Sequence, residues 1–181
     1  MTLWVNFSLN EISILVLNTA VYVLMFFLPR KLTSQVRTLS LLWGFTIGVI
    51  FDFTIGGGLI DFYMVNDSNH FEAFDFLYYF LFAPFGYFFF YFYEILRINK
   101  KTFIPYVLAW SVVGVAAQWA FTFLEIITFQ KGYKVPYSFP VFLVTQTLTG
   151  IYLERVKSRQ PIMAAPKKKE SRKYVLRRWL T

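Results

Sequence analysis

The sequence predicts an all-α integral membrane protein. The expected fold is a bundle of five transmembrane helices with a kinked, aromatic third helix, the N-terminus outside and the C-terminus in the cytoplasm. Composition is the first reason. Of 181 residues, 57% are hydrophobic and 15% are charged, whereas soluble domains average about 45–50% and about 25%. The other two reasons are the lengths of the apolar stretches and the positions of the basic residues between them.

Five apolar stretches are each long enough to form a helix that crosses about 30 Å of hydrocarbon. They cover approximately residues 11–29, 38–60, 74–96, 102–129 and 135–153. The fifth stretch has Pro140 near its start. Together the five predict one transmembrane domain, residues 1–155, followed by a basic cytoplasmic tail, residues 156–181.

Lysine and arginine residues gather on one side of the predicted bundle. With the N-terminus outside, the inner segments hold sixteen of the eighteen basic residues, and Lys131 and Lys134 lie outside. Inner loops of membrane proteins carry an excess of Lys and Arg, so the sequence predicts this orientation. The net charge of +8 therefore indicates the inner rim of a membrane protein rather than a nucleic-acid-binding surface.

The basic tail ends in the segment KYVLRRWL. As an amphipathic helix, this segment would lie on the bilayer with its apolar side chains toward lipid and its arginines toward anionic headgroups. The alternative is a disordered, solvated tail, which its prolines and lysine run favour equally. The residues predicted to bind the lipid surface are Lys167, Lys168, Lys169, Arg172, Lys173, Arg177, Arg178 and Trp179.

Small residues recur every four positions in the second span. They are Ser40, Gly44, Gly48 and Gly56, and Asp52 belongs to the same series. Residues four apart lie on one helix face, and small residues there let another helix approach closely. We therefore expect Asp52 to face a neighbouring helix, where its carboxyl either keeps its proton and donates a hydrogen bond or pairs with a polar group. It is either a proton or cation site or a structural hydrogen bond, and the sequence favours the structural role.

Two segments are predicted to act as hinges. Three consecutive glycines end the second span, and each weakens a helix by roughly 1 kcal/mol relative to alanine. In the third span, Pro84 removes a backbone hydrogen bond and leaves the carbonyl of Phe80 without its helical donor. Fourteen of the twenty residues 74–93 are aromatic, so this kinked helix either lines a flat apolar pocket or packs with its rings toward lipid. The predicted hinge residues are Gly57, Gly58, Pro84 and Gly86.

Polar residues in the other spans also fall on single helix faces. In the fourth span they recur every three or four positions from Ser111 to Glu125, which is the spacing of one helix face. Such stripes predict either a bundle held by interhelical hydrogen bonds or a polar cavity open to the outer side of the membrane. The predicted lining of that cavity is Asn18, Asp52, Gln118, Glu125 and Gln146.

Reactive side chains are scarce. The chain has no cysteine and one histidine, which excludes disulfides, thiolate metal sites and a bis-histidine haem. The outer loop, IDFYMVNDSNHFEAFD, is rich in oxygen ligands but lacks EF-hand spacing, so we interpret it as a turn between helices. The sequence therefore predicts no catalytic residue, no metal site and no cofactor.

Three stretches, SLNEISILVLNTAVYVLMFFLPRK, FDFTIGGGLIDFYMVND and APFGYFFFYFYE, resemble small, uncharacterised multi-pass membrane proteins of spore-forming Gram-positive bacteria. The resemblance covers the spans but not the basic tail. It implies a location in a bacterial plasma membrane and no particular chemistry.

Three functions are compatible with these features. The favoured one is a non-enzymatic component of a membrane assembly that binds lipid or partner subunits, including further copies of itself. The alternative is a small transporter or channel subunit that uses an outward-facing polar cavity around Asp52 and Glu125. An intramembrane enzyme is least favoured, because no nucleophile lies beside a base in the pattern.

Overall fold

The computed structural model describes residues 7–57, 59–65 and 73–164. Most of these residues are helical, and the predicted helical fold is confirmed. Within this part of the chain, four helices are long and apolar enough to cross a membrane, with mean hydropathies between 1.3 and 1.7. They are α1 (Leu9–Phe27), α2 (Ser34–Ile55), the interrupted helix formed by α3 (Ala73–Phe80) and α4 (Phe82–Ile95), and α5 (Phe103–Phe123).

The fifth predicted span is helical too. After a 3₁₀ turn at Val135–Tyr137, helix α6 runs over Ser138–Ala164, past the predicted end of the transmembrane domain at residue 155. It is not among the four helices of the described residues that are long and apolar enough for a span. The contacts divide the chain into one unit, Met1–Gly150, and a second that begins at Ile151. All packing described below lies within the first unit.

Local sequence signals set the ends of the first two helices. At the start of α1, the backbone N–H of Ser8 donates to Glu11 Oε2 over 2.6 Å, which is half of a capping box. Helix α1 stops before Pro29 because a residue preceding proline disfavours the helical conformation. At the start of α2, the hydroxyl of Thr33 accepts from the backbone N–H of Val36 over 3.3 Å, which satisfies one of the free donors of that helix end.

The fourth helix ends earlier than predicted. Helix α5 stops at Phe123 rather than near residue 129, and Glu125 follows with a φ of 56°, a left-handed conformation that a helix cannot continue. The chain then forms strand β2 (Ile127–Phe129), which pairs antiparallel with strand β1 (Tyr63–Val65). The β-branched residues of β2 favour this extended conformation. A small two-stranded sheet therefore joins the segment after α2 to the end of α5.

The aromatic third segment is the most buried of these four candidate spans. In its apolar window 61% of the residues are buried, against 22%, 22% and 28% in the other three. The helix is interrupted at Leu81, three residues before Pro84. Its rings form buried clusters around Tyr78 and around Tyr87. Most of these rings therefore pack inside the protein rather than toward lipid.

Candidate functional site

Helices α2 and α4 cross where both have glycine. A Cβ atom added to Gly86 would lie 2.5 Å from the carbonyl oxygen of Ser40 and 2.7 Å from the Cα atom of Gly44. A Cβ atom added to Gly44 would lie 2.5 Å from the carbonyl oxygen of Phe82. These distances are far below van der Waals contact, so the backbones meet only because neither glycine has a side chain. The structure buries Ser40, Gly44 and Gly48 on this face of α2.

A cavity with about 90 Å³ of space lies beside this crossing, and residues of α2, α3, α4, α5, β2 and α6 line it. Aromatic rings and glycines form most of its wall, and none of the described residues that line it is charged. The aromatic side chains of the wall are Trp43, Phe51, Tyr78, Phe82, Phe85, Phe89, Trp110, Phe121 and Phe142. The cavity is therefore suited to an uncharged, largely apolar occupant.

The lining of the cavity extends along two helices, from Trp43 to Phe51 on α2 and from Trp110 to Phe121 on α5. At 1.5 Å of rise per residue, these stretches are about 12 Å and about 16 Å long. The space between them is small, about 90 Å³, and is partly open to the surface. By comparison, an engineered apolar cavity of about 150 Å³ holds one benzene molecule.

Two further glycines determine how closely the rings of Phe82 and Phe142 approach the helix backbones. A Cβ atom added to Gly48 would lie 2.3 Å from Cγ of Phe82, and one added to Gly114 would lie 2.6 Å from Cδ1 of Phe142. Each ring thus lies directly against a helix backbone at a position where only glycine leaves space. The small residues of α2 and α5 therefore shape the cavity as well as the helix contacts.

Gln118 places a side-chain amide without a hydrogen-bond partner among the described residues at the wall of this apolar cavity. The residue is 3% exposed, and neither its Oε1 nor its Nε2 atom has a hydrogen-bond partner among the described residues. A buried polar group without a partner costs about 1–3 kcal/mol, so such groups are rare. Gln146 of α6 also lines the cavity. By contrast, Trp43 Nε1 donates to Thr149 Oγ1 over 2.9 Å, so the indole N–H is satisfied.

Asp52 does not line this cavity; it is held by two tyrosines. Tyr63 donates its hydroxyl proton to Oδ1 of Asp52 over 2.9 Å, and Tyr79 donates to Oδ2 over 2.7 Å. A Cβ atom added to Gly56 would lie 2.8 Å from Oδ1 of Asp52, so the glycine leaves room for this arrangement. Both carboxyl oxygens therefore have donors, and Asp52 connects α2 with β1 and α3.

Tyr63 lies on strand β1, outside the spanning helices, and is fully buried. Burial, and next the neighbouring Tyr78 and Asp52 side chains, raise the pKa of Tyr63 well above its ordinary value. Its hydroxyl therefore stays protonated over the physiological pH range and remains a donor to Asp52. This is the behaviour of a structural hydrogen bond.

The polar residues of α1 hydrogen-bond to the interruption between α3 and α4. Asn18 Nδ2 donates to the carbonyl oxygen of Leu77, and the hydroxyl of Tyr22 donates to the carbonyl oxygen of Phe80, each over 3.2 Å. The Phe80 carbonyl has no helical donor because Pro84, four residues later, lacks a backbone N–H. Asn18 and Tyr22 thus satisfy backbone groups that the kink frees.

The structure separates the five residues predicted to line a polar cavity. Gln118 and Gln146 line the aromatic cavity, whereas Asn18 and Asp52 hydrogen-bond elsewhere. Glu125 is exposed in the turn after α5. The described part of the chain contains no group of three His, Asp or Glu side chains placed to hold a metal.

The remaining predicted positions divide between turn, helix and undescribed segments. Gly57 is exposed, with no atom within 4 Å of an added Cβ, while Pro84 and Gly86 lie buried in α4. Gly58 and the tail residues Lys167 to Trp179 lie outside the described residues.

Sequence reasoning missed the tyrosine donors to Asp52 and the ring of Phe142. Tyr63 and Tyr79 lie eleven and twenty-seven positions from Asp52, and no periodicity links residues across such separations. The available signal for the sheet was weak: two short runs, Tyr63–Val65 and Ile127–Phe129, contain aromatic and β-branched residues, and the second run lies at the end of the predicted fourth span.

Comparisons of the chain with protein-family models, with curated proteins and with solved structures found no match.

Proposed function

We propose that this chain is a non-enzymatic membrane protein that binds a single hydrocarbon chain, such as an acyl chain of a membrane lipid, in the aromatic cavity. The observation that carries the proposal is the cavity itself, which is small, mostly apolar and free of charged lining residues among those described. A mostly apolar pocket with a few convergent polar groups is the usual form of a ligand site.

The size of the cavity favours one end of a chain over a bulky ligand. A space of about 90 Å³ is smaller than the cavity that holds benzene, at about 150 Å³, so it takes only a few carbons. Because the cavity is partly open to the surface, one end of an alkyl chain can enter it while the rest of the chain stays outside. The buried carbons contact several rings, and many weak dispersion contacts add up. The glycines at positions 44, 48, 86 and 114 let the helix backbones and the rings of Phe82 and Phe142 pack closely along the cavity wall.

The placement of the acidic residues favours this proposal over transport. Both carboxyl oxygens of Asp52 accept hydrogen bonds from the hydroxyls of Tyr63 and Tyr79. These contacts give the side chain a structural role. Glu125 is exposed and does not line the cavity. A proton or cation pathway through these two residues therefore has no support in their contacts.

The proposed setting is a bacterial plasma membrane, with five spans, the N-terminus outside and the C-terminus in the cytoplasm. The fifth span in this proposal is the first part of α6, which completes the cavity wall with Phe142 and Thr149. The orientation follows from the concentration of Lys and Arg on one side. In this arrangement a basic tail on the inner side adds attraction to anionic headgroups.

Tryptophan fluorescence tests the proposal. Replacing Trp4, Trp119 and Trp179 by phenylalanine leaves the two tryptophans of the cavity wall, Trp43 and Trp110. We expect methyl dibromostearate, whose bromine atoms quench indole on contact, to quench this protein saturably in detergent. The variant Ala117→Leu adds three carbons to the cavity wall, and we expect it to weaken the quenching about tenfold or more, equivalent to about 1.4 kcal/mol.

The matched control is Ala116→Leu on the same helix. Ala117 lines the cavity, whereas Ala116 is exposed on the outer surface of α5. We expect Ala116→Leu to leave the quenching curve unchanged. Equal quenching of the two variants, or a curve that never saturates in the parent protein, would contradict chain binding in the cavity.

A further inference from the structure

We infer that the chain bound in the cavity ends in an uncharged carboxylic acid that pairs with the amide of Gln118, which makes the ligand class a protonated long-chain fatty acid. The inference rests on the proposed chain-binding function and adds the chemistry of the head group. It starts from the unsatisfied amide of Gln118, which is 3% exposed and lines the cavity.

The amide of Gln118 leaves both a donor and an acceptor free. Its Nε2 atom carries N–H donors and its Oε1 atom accepts, and neither has a partner among the described residues. A carboxylic acid is complementary to both atoms at once, because its carbonyl accepts from Nε2 while its O–H donates to Oε1. An ester offers only acceptors and a hydroxyl offers one oxygen for both tasks, so each satisfies the amide less completely.

The lining of the cavity selects the neutral form of the acid. None of the described residues around the cavity carries a charge, so no cation is present to balance a carboxylate. Burying an unpaired charge among apolar groups costs far more than burying a hydrogen-bonded neutral group. A phospholipid headgroup, which carries a charged phosphate, is excluded from the interior for the same reason.

The position of Gln118 leaves room for the alkyl chain. Gln118 lies eight residues beyond Trp110 on α5, or about 12 Å along the helix axis. From the amide, the cavity wall continues to Trp110 and Trp43 through the rings of Phe82 and Phe89. A fatty acid with its carboxyl at Gln118 thus places the first carbons of its chain among these rings, and the rest of the chain leaves through the open part of the cavity.

The test compares dibromostearic acid with its methyl ester on the two-tryptophan protein. The acid can make one more hydrogen bond to Gln118 than the ester, and one such bond within a membrane bundle amounts to a factor of about 3 to 30 in affinity, so we expect the acid to bind tighter than the ester by that factor. We expect Gln118→Met, which keeps the length of the side chain but removes both polar atoms, to abolish this preference by lowering the affinity for the acid more than the affinity for the ester. The control Gln130→Met alters a glutamine that does not line the cavity and is expected to keep the preference.

Three outcomes separate the hypotheses. Equal affinity for acid and ester in the parent protein would overturn the inference and leave chain binding intact. An equal loss of both ligands in Gln118→Met would also overturn it, because Gln118 would then act on the shape of the cavity. Binding of neither ligand would overturn the proposed function together with the inference. The acid-to-ester ratio of the parent protein decides the matter even if Gln118→Met fails to fold.

Discussion

Adding one methyl group at the crossing of α2 and α4 should destabilise the protein, and Gly86→Ala is the perturbation that shows it. In an exposed helix, glycine to alanine is favourable by about 0.8–1 kcal/mol. At position 86 the new Cβ would lie 2.5 Å from the carbonyl oxygen of Ser40 and 2.7 Å from the Cα atom of Gly44. Both are backbone atoms, so no side-chain rotation can relieve the clash, and the helices have to move apart.

The expected magnitude follows from these opposing terms. Overpacking a well-packed interior costs typically about 1–3 kcal/mol, and a clash between two backbones belongs at the upper end of that range. Subtracting the gain in helix propensity, about 1 kcal/mol, leaves a predicted loss of about 1–2 kcal/mol in the free energy of unfolding. Separation of α2 and α4 should also loosen the wall that Phe82 contributes to the cavity.

The assay is equilibrium unfolding in mixed micelles, in which sodium dodecyl sulfate is titrated against a fixed non-denaturing detergent and helicity is followed by circular dichroism. Gly57→Ala is the matched control, because an added Cβ there meets no atom within 4 Å, and we expect a change of no more than about 0.5 kcal/mol. Unchanged or increased stability of Gly86→Ala would refute the close approach of the two backbones.

Two further predictions concern hydrogen bonds between elements, each worth about 0.6–2 kcal/mol within a membrane bundle. Tyr79→Phe removes one donor to Asp52 and should lower the free energy of unfolding by that amount; no measurable loss in the same titration would show that this contact does not hold the carboxyl. Tyr22→Phe should cost a similar amount in the parent protein but less in a Pro84→Ala background, because alanine at position 84 restores a backbone donor for the Phe80 carbonyl. Equal costs in both backgrounds would contradict that pairing.

The helices and their small-residue faces could be predicted from the sequence because both depend on local spacing. Apolar length predicts a spanning helix, and the four-residue recurrence from Ser40 to Asp52 places these residues on one face whatever the partner is. The kink could be predicted for the same reason, since Pro84 acts on a carbonyl four residues away in its own helix. These features need no knowledge of the rest of the chain.

Which residues come together at the site depends on contacts between residues far apart in the sequence. The spacing of residues along the chain does not encode such contacts. The stripes were expected to meet in a polar cavity, but aromatic rings from α3, α4 and α6 occupy much of the wall instead. Asp52 is bound by Tyr63, whose position depends on a sheet formed with the residues after α5. Glu125 leaves the predicted face because the helix ends at Phe123 and the chain turns with a φ of 56°.

The most direct test of the account is to find where a fatty acid lies in the protein. Stearic acid with a photoactivatable diazirine in its chain can be crosslinked to the reconstituted full-length protein and the labelled residues identified by mass spectrometry. The account predicts labels on Phe82, Trp110 and Phe142 of the cavity wall and their loss in Ala117→Leu. Labels confined to the exposed outer surface, as on Trp119 and Phe123, would contradict a chain-binding cavity.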